Sequence, residues 1–367
     1  MKQTPLIGID KNEIDTPALL IDLDALESNI KTMSEYFKEI NTSLRPHFKA
    51  HKSTAIAHMQ IAAGAIGITC AKLGEAEVLA EAGIKDILIA NQIVGPLKIA
   101  RLVNLAKHTD MMVAVDNPEN VREISEAAIV KGVKIRVLIE VDVGMERCGV
   151  VSKEQALDLA RFCLDSQGVK FCGLMGFEGG VVEIAEREER TRRAELCMDR
   201  LEEAKDYLEA NGIDIEIMSG GGSGTHDISG PRKFMTEIQA GTYVFMDSKY
   251  LAVEGMEKKF KPALTVLTTV ISRPTPDRLH TDCGRKSASK DFGIPQPLNI
   301  DGLEQRGLSE EHGNCRVHKP LDLKIGDKIE ILPTHSCTTV NLHDNYYGMR
   351  NGRLEVIWKV SARGKSN

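Results

Sequence analysis

The chain of 367 residues carries 47 basic and 53 acidic residues, a formal charge of −6, and is 42% apolar. Such a chain can bury a full core, and its length predicts two domains or one large domain with an appendage. The near-balanced charge leaves no footprint for a nucleic-acid or anionic-membrane partner, and the lack of a long apolar run or secretory leader predicts a cytoplasmic protein.

From Thr16 onward short apolar runs alternate with longer amphipathic stretches, the rhythm of βα units. Strands are predicted at 18–21, 44–48, 66–70, 87–90, 111–115, 135–141, 171–175 and 213–218, with helical segments such as 26–40, 74–82, 96–106 and 118–131 between them. Pro96 and Pro118 stand where helices begin; Gly83, Gly132 and Gly212 stand where they end. Eight such units predict an α/β fold, a (β/α)8 TIM barrel over 14–251. The alternative is a doubly wound open sheet, but no GxGxxG follows the first strand. Beyond 251, β-branched runs at 264–270, 328–332 and 354–360 predict a mostly-β C-terminal domain over 252–367, on which residues 1–13 are expected to pack. The eight cysteines contain no CxxC pair and read as reduced thiols.

Barrel enzymes carry their reacting groups just past the C-terminal ends of strands. After the second predicted strand stands RPHFKAHK over 45–52, where a lysine crowded by cations and partly desolvated suits Schiff-base chemistry; an exposed basic turn is the plain alternative. After the sixth comes EVDVGMERCG over 140–149, whose Arg147 could offer its planar fork to an oxyanion, or close a tight loop by an Asp–Arg pair. After the eighth comes SGGGSGT over 219–225, able to present backbone N–H groups and hydroxyls to a phosphate, or simply to turn. In the β domain His335 and Cys337 lie two apart, which on an extended chain puts both on one face, as metal ligands or as a satisfied core pair. Glu311, His312, His343 and Asp344 are further polar candidates there.

Together these motifs resemble the alanine-racemase-like, fold type III pyridoxal-phosphate enzymes, and within them the D-threonine aldolase and D-serine dehydratase family. TPALLIDLD over 16–24 is similar to that family's opening strand, RPHFKAHK to its cofactor-lysine motif, and EVDVGMERCG to the loop whose arginine approaches the cofactor's phenolic oxygen. Further similarities are the glycine loop, GTYVFMD over 241–247, DCGRK over 282–286, SEEHG over 309–313, and PTHSC over 333–337 with VNLHD over 340–344. The resemblance implies Lys49 as Schiff-base lysine and base, and Arg147 at the phenolic oxygen. It implies Ser219, Gly221, Gly222, Ser223 and Thr225 around the phosphate, with Phe177 and Tyr243 also at the cofactor. It implies His335 and Cys337 as ligands of a divalent metal, zinc or else manganese or magnesium. Many relatives carry a tyrosine in a Gly-Leu-x-x-Tyr context where this chain has Phe177.

The implied activity is that of a lyase acting on small D-3-hydroxy amino acids, in a homodimer. The His-x-Cys pair leans to dehydration over retro-aldol cleavage. The alternatives are an amino-acid racemase, with Tyr346 or Tyr347 as second acid/base, and a non-catalytic pyridoxal-phosphate-binding protein.

Overall fold

The computed structural model describes residues 7–367. They divide into two compact units, one of 33–49, 56–241 and 365–367, the other of 50–55, 242–364 and the described part of 1–32. In chain order the first strands are β1 (Ala18–Asp22), β2 (Ser43–Leu44), β3 (Ile68–Cys70), β4 (Asp86–Ile89), β5 (Asp110–Val115), β6 (Ile135–Glu140), β7 (Val169–Gly176), β8 (Ile217–Gly220) and β9 (Glu237–Ile238). The helices among them are α1 (Leu23–Lys38), α2 (Thr54–Ala62), α3 (Leu73–Glu81), α4 (Pro96–Leu105), α5 (Pro118–Lys131), α6 (Lys153–Asp165), α7 (Arg187–Ala210) and α8 (His226–Ser229).

Strands β2 to β9 form one parallel sheet in the order β2-β9-β8-β7-β6-β5-β4-β3. An isolated bridge between His47 and Thr69 links the two ends of that path, so the eight strands curl into a TIM-like barrel. Interior strands such as β5 and β6 are covered on both faces, which is why they read as continuous apolar runs rather than as alternation. Leu88, Met112, Ala114, Leu138, Cys172, Met175 and Ile217, from five neighbouring strands, form one buried cluster. Helix ends follow local chemistry. The Asn117 side chain caps α5 by accepting the N–H groups of Glu119 and Asn120, Pro118 opens it, and Gly132 closes it in the left-handed region at φ 68°.

The strand count matches the expectation, but the eight strands differ from those predicted. The run at 18–21 becomes β1, which lies outside the barrel, and the eighth barrel strand is β9, whose two residues are too few to show a period.

The second unit contains β10 (Leu264–Thr275), β11 (Arg278–Thr281), β12 (Gln296–Pro297), β13 (Leu303–Leu308), β14 (Gly313–Val317), β15 (Lys328–Leu332), β16 (Asn345–Arg350) and β17 (Arg353–Lys359). Its sheet runs β13-β14-β11-β10-β1-β16-β17, with β15 paired to β10 and β12. β1 lies between β10, antiparallel, and β16, parallel; Leu19 stands opposite Val266 on one side and Tyr346 on the other. Ile14, Ala18 and Leu20 pack with Leu267, Met349 and Leu354. The Gly8 N–H donates to the Leu354 carbonyl at 2.7 Å and the Lys11 N–H to that of Gly352 at 3.0 Å; residues 1–6, part of the segment expected to pack here, lie outside the described residues. All eight cysteines are free. Among the described residues no helix is long and apolar enough to cross a membrane.

Candidate active site

β2 ends at Leu44, earlier than predicted, and the chain passes through the His47 bridge into a single 3-10 turn, Phe48–Ala50. Lys49 therefore sits on a turn at the mouth of the barrel, where strand alternation no longer applies. The turn is pinned on both sides. Phe48 is fully buried, and the Lys49 N–H donates to His47 Nδ1 at 3.4 Å. The half-buried Lys49 side chain places its Nζ 5.5 Å from the centre of the Phe177 ring, which follows β7.

Arg147 approaches the same ring, its Cζ 5.8 Å from the centre. Two cations thus lie within cation–π range of one aromatic ring. The loop carrying Arg147 is folded by Asp142, whose Oδ1 accepts the N–H groups of Gly144, Met145 and Glu146 at 2.9, 2.9 and 3.0 Å. Asp142 is occupied with backbone, and the internal pair of Arg147 is with Glu140, at 3.4 Å. Burial pushes the Glu140 carboxyl above its ordinary range, against the opposing pull of Gln92 and Arg147. The Gln92 amide donates to Glu140 Oε2 at 2.6 Å and to Asp116 Oδ2 at 3.2 Å.

The glycine loop after β8 is buried from Ser219 to Thr225. Gly221 adopts φ +72°, and a Cβ on Gly224 would run into the Val182 carbonyl, so this stretch packs as bare backbone. The Ser219 hydroxyl donates to Glu237 at 2.7 Å and accepts from Gln239 at 2.7 Å. Glu178, beside Phe177, accepts from Gly221 and Thr225. Lys49, Arg147, Phe177 and the glycine loop all belong to the barrel unit.

The other predicted residues belong to the second unit. His335 is extended, but Ser336–Val340 is a short helix, so Cys337 stands in its first turn and the chain is not extended across the pair as expected. Asp247 closes this site. Its Oδ2 accepts the Ser336 N–H at 2.8 Å and the Ser336 hydroxyl at 3.0 Å, and lies 3.4 Å from His335 Nδ1. Burial disfavours the His335 cation, but Asp247 and Cys337 outweigh it and raise the imidazole to about 10. Phe292 packs edge-on to His335 at 4.8 Å. Tyr243 is fully buried against Phe260, with 6.1 Å between ring centres. His343, partly buried, donates from Nε2 to the Ser287 carbonyl at 2.7 Å. The Tyr346 hydroxyl donates to the His51 carbonyl at 2.5 Å. Asp247, Glu178 and Gln92 escaped the sequence reading. Each reaches its partner across tens of residues; Gln92 and Glu178 are polar residues shortly after apolar runs and Asp247 closes the GTYVFMD motif, but the sequence does not show which groups they bind.

The family description "Alanine racemase, N-terminal domain" matches residues 21–249, and "Putative serine dehydratase domain" matches 263–349. The chain belongs to the alanine-racemase-like, fold type III family of pyridoxal-phosphate enzymes. Within this family it is 40% identical to a D-threonine aldolase of Arthrobacter sp., over 96% of this chain and 94% of that one. It is 37% identical to a 3-hydroxy-D-aspartate aldolase of Paracoccus denitrificans (strain Pd 1222), over 98% and 95%. The structure of a D-threonine aldolase from Filomicrobium marinum superposes with a TM-score of 0.97 at 37% identity, covering all of both chains. A cysteine variant of a D-threo-3-hydroxyaspartate dehydratase, described as a metal-free form, superposes at 0.87 with 28% identity, over 96% of this chain and 98% of that one.

The family's cofactor fits the barrel residues. A lysine amine, an arginine cation and a glycine loop whose close packing excludes side chains supply the chemistry an aldehyde, a phenolate and a phosphate require. A divalent cation fits the second unit less fully. His335 Nδ1 is buried beside Asp247 without a hydrogen bond and Cys337 adds sulfur, but among the described residues no group of three or more His, Cys, Asp and Glu is arranged to hold a metal. Two protein ligands leave the remaining positions to water or substrate.

Proposed function

We propose that this protein is a pyridoxal-phosphate- and divalent-metal-dependent lyase of D-3-hydroxy amino acids, cleaving the Cα–Cβ bond to release glycine and an aldehyde. The observation that carries this reading is the convergence of Lys49 and Arg147 on Phe177 beside the glycine loop. Aldolase relatives at 37 and 40% identity favour C–C cleavage. When bound, pyridoxal phosphate supplies an electron sink and the cation supplies Lewis acidity toward the substrate's β-oxygen. Lys49 would hold the cofactor through Nζ and would serve as a base toward bound substrate. Arg147, paired with Glu140 at 3.4 Å, would balance the charge of the phenolic oxygen. Ser219, Ser223, Thr225 and the backbone at Gly221 and Gly222 would line the phosphate; Tyr243 is assigned to the cofactor by the family resemblance alone. His335 and Cys337 would hold the cation, zinc by the softness of the thiolate, with manganese or magnesium as the other candidates.

Dehydration to an oxo acid and ammonia is the second reading, favoured by the thiol at Cys337 and by dehydratase relatives such as that of Delftia sp. (strain HT23), 29% identical. Racemisation is disfavoured by the aldolase and dehydratase relatives, and of the two tyrosines named for its second acid/base Tyr346 is unsuited. The Tyr346 hydroxyl is committed to the His51 carbonyl, and burial raises its pKa well above 10. A cytoplasmic homodimer completes the proposal by family analogy.

The test is incubation with D-threonine, D-3-hydroxyaspartate and D-serine, with and without chelator, assaying glycine plus aldehyde separately from oxo acid plus ammonia. Glycine and aldehyde are expected, lost with chelator and restored by zinc or manganese. Undiminished turnover after complete metal removal would overturn the metal role, and racemised substrate without cleavage would overturn the lyase reading.

A further inference from the structure

Glu178 is 1% exposed, and its carboxylate is turned onto the glycine loop. Oε1 accepts the hydroxyls of Thr225 at 2.7 Å and Ser229 at 2.8 Å, and Oε2 accepts the Gly221 N–H at 3.2 Å. Thr225 Oγ1 in turn accepts the Gly222 N–H at 3.1 Å. One carboxylate therefore ties Gly221 at the head of the loop to Thr225 at its tail and to Ser229 in α8. A carboxyl group so buried needs several hydrogen-bond partners, and here three donors are supplied by the segment it organises. Its own backbone is equally fixed. The Glu178 carbonyl accepts the Val181 N–H at 2.9 Å, and Val181 packs with Ala194 and Ile228. Farther along the same connection, Arg190 donates to the carbonyls of Ile184 and Ala185 at 2.7 and 2.9 Å.

We propose that Glu178 is a positioning residue, an internal anion that holds the 219–225 loop in the shape that receives the cofactor's phosphate. The inference rests on reading that loop as the phosphate site. Glu178 reaches the ligand through Gly221 and Thr225, so its removal weakens binding more than it slows turnover.

The experiment compares wild type, Glu178→Ala, Glu178→Gln and Ser229→Ala, each stripped of cofactor. It measures affinity for pyridoxal phosphate by visible absorbance, affinity for inorganic phosphate by protection against melting, and kcat at saturating cofactor. Glu178→Ala is expected to weaken both affinities roughly 10- to 100-fold, with a smaller loss in kcat once cofactor saturates. Glu178→Gln is expected to stay within about three-fold, because its amide oxygen can accept the Gly221 N–H while its NH2 donates to the two hydroxyls. Wild-type affinity in Glu178→Ala, or a glutamine variant as weak as the alanine one, overturns the proposal. Should Glu178→Ala fail to fold, Ser229→Ala is expected to lose affinity a few-fold, and unchanged binding in it overturns the proposal instead. A wild type that binds inorganic phosphate through this loop but no pyridoxal phosphate rejects the cofactor reading while leaving the role of Glu178 standing.

Discussion

At Gln92 one side-chain amide serves two carboxylates, Glu140 and Asp116, and through Glu140 it steadies Arg147. Burial already raises the folded pKa of Glu140 above its ordinary 4.5, so ionising it costs stability as pH rises. Gln92→Glu adds a third carboxylate and enlarges that cost by about 2–4 kcal/mol at neutral pH. Its melting temperature relative to wild type should be lowest near pH 8 and recover toward pH 5; a deficit independent of pH would count against the cluster. Lys49 supports a second prediction. Borohydride reduction of cofactor-loaded protein should leave a tag in the peptide around residue 49, and Lys49→Ala should lose it; a tag on another lysine refutes the assignment. The turn carrying Lys49 and the loop carrying Arg147 were legible as compact motifs at predicted strand ends. The partners of Glu178 and Asp247 were not, since they are hydrogen bonds accepted from distant residues, Gly221 and Thr225 in one case and Ser336 in the other.

At the scale of elements, the interior strands were legible because parallel strands buried on both faces are unbroken apolar runs. The short strands were not. β2 and β9 have two residues each, and they are tied together less by length than by Arg45. Its side chain, 2% exposed, donates from Nε to Glu237 in β9 at 2.9 Å and from Nη1 to Asp86 at the start of β4 at 2.8 Å. Asp86 also pairs with Arg136 at 2.6 Å, and Arg136 with Asp110 at 2.8 Å, so alternating charges link the beginnings of β4, β5 and β6 to β9. Removing one member of a buried pair strands the other charge, so Arg45→Ala should cost about 3–5 kcal/mol in chemical denaturation. Arg45→Met with Glu237→Gln should recover part of that loss. An Arg45→Ala protein as stable as wild type would show that the network holds nothing. The His335–Cys337 pair illustrates the opposite limit: five residues turning into a helix cannot be distinguished by periodicity from the extended run their spacing suggested.

For the whole molecule, the chain order of the two units matters more than their composition. The sequence placed a boundary near residue 251 because helical periodicity fades there, but β1 belongs by hydrogen bonding to strands that begin at Leu264 and Asn345. No local signal could reveal this, since ALLID looks the same whether its partners are parallel barrel neighbours or β10 and β16. A single cut at 251 therefore removes the strand between β10 and β16 and leaves both with unpaired edges, along with the apolar faces of Leu267, Met349 and Leu354. The fragment 252–367 is expected to show no cooperative thermal transition and to aggregate when produced alone. The same fragment mixed with 1–251, or joined through a flexible linker to residues 7–32, should regain strand signal in circular dichroism and a sharp melt. If 252–367 folds cooperatively by itself, pairing with β1 is dispensable and the second unit is an autonomous domain.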